Sequence, residues 1–143
     1  MLYSTAVILV ASALSAVFAV FLQAEHVYYS VQHFYINELT LTDAIFPKAL
    51  LVDARSWDDY AKEHIPGALS LDQQDWDTGL VSFLEHWTPS RPVVIYCGGQ
   101  ACGLSKAVAL RLLTDLPEAD VYVLKQGFSA WKLHQAKLKP TSQ

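Results

Sequence analysis

Short branched apolar runs alternate with helical patterns along this chain, and that alternation constrains the fold more than any other feature. KALLVDA (48–54) is an apolar run closing in a charged turn, as a buried parallel strand would be. SWDDYAKEH (56–64) reads as a short helix with Ser56 as N-cap. IPGALSL (65–71) is a turn and a short strand. Trp76, Leu80, Phe83, Leu84 and Trp87 then recur at helical spacing and predict a core-facing stripe. VVIY (93–96) is the most strand-like run. LSKAVALRLL (104–113) predicts a helix with Leu104, Val108 and Leu112 on one face and Ala107 beside them. After a turn around Pro117, VYVL (121–124) is a strand. GFSAWKLHQ (127–135) is a last helix with Phe128, Trp131 and Gln135 in register. The alternation predicts a small α/β domain with a mostly parallel sheet over residues 41–138.

Two segments precede that domain. Leu2 to Leu22 holds no charged side chain, and about 20 such residues cross a bilayer core. Residues 1–22 are read as a transmembrane helix, giving a single-pass membrane location. A cleaved signal peptide is the alternative, with Ala16 and Ala19 as small residues near a cleavage site, but no Lys or Arg precedes the run. The side of the membrane stays open, because the first basic residue is Lys48. Residues 23–40 form a juxtamembrane connector rich in Tyr and His, suited to a headgroup layer. His26 and His33 lack a third ligand, and no metal site is assigned. The net charge of −4 without clustered Lys or Arg excludes a nucleic-acid surface.

The chemistry concentrates after VVIY. In open α/β sheets, reactive sites lie beyond the carboxyl ends of the strands, and Cys97 stands there. The segment Gly98, Gly99, Gln100, Ala101, Cys102, Gly103 holds three glycines and leads into a helix. Such a loop aims backbone N–H groups at one point, and the helix N-terminus adds positive potential. The nest would bind an anion and stabilise a thiolate. Cys97 is therefore the candidate nucleophile and residues 98–103 the candidate substrate cradle.

The stretch from about 41 to 135 resembles the rhodanese-like sulfurtransferase domain. LLVDARSWDDYAKEHIPGALSL (50–71), VVIYC (93–97) and VYVLKQGFSAW (121–131) carry the resemblance. It implies a parallel five-stranded sheet flanked by helices. Cys97 would take sulfane sulfur from a small donor as a persulfide and pass it to a thiol acceptor, a protein thiol among the candidates, with no cofactor. Asp53 and Arg55 match the family's Asp-x-Arg and read as a structural charge pair near the site. His64 reads as a structural loop residue.

The chain departs from the family at three points. Ser105, the matching serine, lies eight positions after Cys97, so the loop is longer by about two residues. No basic residue lies between the two, which weakens thiosulfate binding and leaves a persulfide as donor. Gln126-Gly127 replaces the usual Gly-Gly. Related phosphatases place Arg six positions after the cysteine, where this chain has Gly103. Cys102 is either a resolving thiol that attacks an oxidised or persulfidated Cys97, or a packing residue at the helix start. Two other functions stay open: a thiol redox protein using a Cys97–Cys102 disulfide, and a non-catalytic interaction module at a membrane.

Overall fold

The computed structural model describes residues 36–99 and 103–138. Its framework is a five-stranded sheet in the order β1-β5-β4-β2-β3, in which every pairing is parallel. The strands are β1 (Asn37–Leu39), β2 (Leu50–Asp53), β3 (Leu69–Ser70), β4 (Val93–Tyr96) and β5 (Val121–Leu124). The helices are α1 (Trp57–Lys62), α2 (Trp76–His86), α3 (Leu104–Asp115) and α4 (Gly127–Leu138).

The sheet is buried on both faces, as its near-continuous apolar strands require. All four residues of β4 are fully buried. Strand alternation divides them between two cores. Val93 and Ile95 pack with Trp76 and Phe83 of α2 and Val108, Ala109 and Leu112 of α3. Val94 and Tyr96 pack with Ile65, Leu124 and Phe128 of α4. With β4 in the middle of the order, its carboxyl end opens at the centre of one sheet edge, where Cys97 follows.

Local chemistry fixes the helix starts. Ser56 Oγ accepts the Asp59 N–H at 3.4 Å, the expected cap of α1. The Asp72 carboxylate accepts the Trp57 N–H at 3.1 Å and the Gln74 N–H at 3.0 Å, which ties α1 to the segment after β3.

The structure departs from the sequence reading in a few places. Leu84 is 47 % exposed, whereas Trp76 and Phe83 are buried and Leu80 and Trp87 pack against the core. Leu84 follows Trp76 by eight residues, which turns it well away from the stripe centred on Trp76, Leu80 and Phe83 at 3.6 residues per turn. On α3, Ala109 is buried and Ala107 exposed, because the buried face centres on Ser105, Val108 and Leu112. The globular unit begins at Ile36. Residues 37–39, placed in the connector by the sequence reading, pair in parallel with Tyr122, Val123 and Leu124 of β5. The run 1–22 lies outside the described residues, among which no helix is long and apolar enough to cross a membrane.

Candidate active site

Cys97 is 3 % exposed and continues directly from β4. Its carbonyl accepts the Phe128 N–H at 2.7 Å, and the Gly98 carbonyl accepts from the Ser129 N–H at 3.3 Å and from Ser129 Oγ at 2.7 Å. The first turn of α4 thus finds partners for its unsatisfied N–H groups in the loop carbonyls. This docking brings the chains so close that a Cβ on Gly127 would lie 2.2 Å from the Cys97 carbonyl oxygen. Gly127 also has φ +51° and Gln126 before it φ +62°. The left-handed pair turns β5 into α4, and Gln126 occupies a conformation that side chains adopt only at a cost.

The Cys97 sulfur forms one half of a disulfide. The chain's other cysteine, Cys102, lies outside the described residues with Gln100 and Ala101. Ser105 Oγ lies 3.5 Å from Cys97 Sγ, and Ser105 is 2 % exposed. A disulfide sulfur or a thiolate carries no proton, so the serine hydroxyl is the donor in that contact. Gly103 caps α3 without a side chain. Gly98 is exposed and Gly99 half-buried.

Behind the loop stands a polar brace. Asp53 is fully buried and Arg55 12 % exposed in its side chain. The carboxylate accepts from the Arg55 backbone N–H at 3.0 Å, from Nε at 3.0 and 3.1 Å, and from Nη2 at 2.6 Å. Nη2 also donates to the Glu63 carbonyl at 2.6 Å. Burial works against the guanidinium's charge, but the bonds and charge of Asp53 prevail and raise the Arg55 pKa. The guanidinium carbon sits 4.1 Å from the centroid of the Phe128 ring. Arg55 thereby rests on the residue whose N–H holds Cys97.

Tyr96 joins the brace. Its hydroxyl accepts the Ile65 N–H at 3.1 Å. Burial above all, and then the Asp53 carboxylate, push that hydroxyl well above its ordinary range, with the Ile65 bond pulling the other way; it stays protonated. His64 belongs to the same corner. Its ring stacks on Tyr60 at 4.0 Å, and Nδ1 donates to the Tyr60 carbonyl at 2.9 Å.

A cleft of about 440 Å³ opens beside Cys97, lined by Ser105, Glu38, Lys106, Lys125 and Gln126 among others. The sequence reading finds no cation in the loop. The structure supplies two from outside it, Lys106 in the first turn of α3 and Lys125 just after β5. Neither carries a sequence signal of its own; only the sheet order brings them and Glu38 to one rim.

A buried cysteine at the end of a central parallel strand, close to the start of a helix, invites comparison with known proteins. The 93 residues aligned with the thiosulfate sulfurtransferase GlpE of Coxiella burnetii (strain RSA 331 / Henzerling II) are 32 % identical, covering 65 % of this chain and 77 % of that protein. YibN of Escherichia coli K12 is 32 % identical over 83 residues, 58 % of this chain and 55 % of its own length. Among solved structures, the BH2092 protein of Bacillus halodurans superposes with a TM-score of 0.54 at 22 % identity, over 78 % of this chain and 82 % of the other. That likeness concerns the fold. The family model described as rhodanese-like domain matches residues 40–134, which takes in the brace, the cysteine and the last helix alike, and the chain belongs to the rhodanese-like domain family.

Proposed function

We propose that this chain is a sulfurtransferase or persulfide carrier working through Cys97. The observation that carries the reading is the position of Cys97 at the end of the central strand, with its sulfur 3.5 Å from the Ser105 hydroxyl beside a cleft rimmed by lysines. The relative GlpE, by its name a thiosulfate sulfurtransferase, supports the same chemistry.

The mechanism is a double displacement. The reduced Cys97 thiolate attacks the outer sulfur of a sulfane donor. The new S–S bond forms as the donor's own bond breaks, and the donor leaves with the electron pair as sulfite or a thiolate. The result is a Cys97 persulfide anion. An acceptor thiolate then attacks its outer sulfur, and Cys97 leaves as thiolate. No net oxidation occurs. The Ser105 hydroxyl and the loop N–H groups of Gly98, Gly99 and Gly103 hold the negative charge at each stage. Asp53, Arg55 and His64 take no part in bond making; they hold the loop's backing in place.

The test is intact-mass measurement of the reduced protein after incubation with thiosulfate or with glutathione persulfide. Wild type is expected to gain the mass of a single sulfur, Cys102→Ser to keep that gain and Cys97→Ser to lose it entirely. Wild type that gains no sulfur from either donor would sink the proposal and leave the redox protein and the non-catalytic interaction module.

A second reading is favoured by the disulfide at Cys97. In it, Cys97 and Cys102 cycle between dithiol and disulfide, two electrons and two protons passing to an external thiol–disulfide couple. Thiol trapping across a series of glutathione buffers is expected to give a single sharp transition between the two forms. Two free thiols in every buffer would remove this reading.

A further inference from the structure

Three charged side chains from three separate elements meet at the rim of the Cys97 cleft. Glu38 comes from β1, Lys106 from the first turn of α3 and Lys125 from the turn just after β5. Lys106 Nζ stands 2.8 Å from Glu38 Oε1, and the two side chains are 54 % and 43 % exposed. The hydrogen bond and charge of Lys106, and the charge of Lys125 acting through space, hold the Glu38 carboxyl below its ordinary range. The rim therefore carries two cations and one anion at neutral pH. Glu38 occupies the place on Lys106 that an incoming anion would take. An ion pair this exposed is held weakly, so a ligand displaces it at little cost.

We infer that Lys106 and Lys125 select an anionic sulfur donor for Cys97, and that Glu38 is a built-in competitor which sets how strongly they do so. The inference rests on the sulfurtransferase reading and names its substrate class: a small donor with a negative charge beyond the sulfur that is transferred. It also places the cation function outside the loop. The Ser105 hydroxyl faces the sulfur, and Lys106 and Lys125 offer charge to the rest of the donor. Gln126, on the same rim, is neutral and leaves this balance unchanged.

The experiment compares alkylation of Cys97 in the full, reduced chain by iodoacetate, an anion, and by iodoacetamide, its neutral counterpart. It is run at low ionic strength, and Cys97 is followed site-specifically by fragment mass spectrometry. The ratio of the two rates reads the potential at the sulfur, because the neutral reagent corrects for access and thiolate content. One elementary charge about 6 Å away in a largely aqueous setting changes such a ratio by about threefold. Glu38→Gln is expected to raise it by about that factor. Lys125→Gln and Lys106→Gln are each expected to lower it by a similar factor. Added salt should erase the differences. A ratio unchanged by Glu38→Gln, or lysine variants that slow both reagents equally, overturns the inference. The persulfide mass assay separates this outcome from failure of the function itself. Wild type that loads no sulfur removes the sulfurtransferase reading, while the alkylation ratio alone decides the charge selection.

Discussion

Gly127→Ala is expected to be the most damaging single-methyl change in the molecule. Two penalties act together. The added Cβ would lie 2.2 Å from the Cys97 carbonyl oxygen and 3.0 Å from its carbonyl carbon, both backbone atoms that cannot rotate away. The position also has φ +51°, which costs an L-residue about 1–2 kcal/mol before any contact is counted. With overpacking added, the loss of stability is about 2–5 kcal/mol. The damage is local as well, because the 2.7 Å bond from Phe128 N–H to the Cys97 carbonyl must lengthen. Gly67→Ala is the matched control. Gly67 has φ +80°, and an added methyl there would meet nothing within 4 Å, so its cost is about 1 kcal/mol. Urea unfolding midpoints of the two variants check this. Equal midpoints would mean that the close approach to Cys97 is not rigid.

Asp53→Ala should follow closely. It leaves the Arg55 guanidinium, 12 % exposed, without its carboxylate while the Glu63 carbonyl and the Phe128 ring stay in place. Removing one partner of a buried pair costs about 3–5 kcal/mol, mainly because the remaining charge is stranded. The comparison is Glu63→Ala, which breaks the Lys132–Glu63 pair, exposed by 55 % and 51 %; such a pair contributes about 1 kcal/mol or less. Asp53→Ala/Arg55→Leu should recover part of the loss, since no charge is then left unpaired. Thermal denaturation of the set decides the matter. An Asp53→Ala variant no weaker than Glu63→Ala would show that the brace is water-filled in solution.

Most of the architecture was legible in the sequence because most of it rests on periodicity. VVIY and VYVL can only be buried strands, and the residues between them carry a 3.6-residue stripe. β1 was illegible for a physical reason. Asn37-Glu38-Leu39 has no β-branched residue, and only Leu39 is buried. These residues are a strand because β5 presents an edge that needs pairing, a fact of tertiary structure and not of local propensity. The site divides the same way. Cys97 and the glycines after it announce themselves by type and spacing, and the Asp53–Arg55 pair by its match to the family's Asp-x-Arg. Lys106 reads as an ordinary polar position on a helix and Lys125 as the polar end of a strand. Their meeting with Glu38 depends on β1 lying beside β5, so it could not be read before β1 was known.

The dependence of the Cys97 loop on α4 also has a consequence in time. Chains emerge from the ribosome amino end first, so Cys97 is made well before Phe128 and Ser129. Until those residues arrive, the carbonyls of Cys97 and Gly98 lack the N–H groups that anchor them in the finished fold. The loop that follows β4 is thus anchored only once the last described helix has been made, and a nascent or prematurely ended polypeptide carries Cys97 without those contacts.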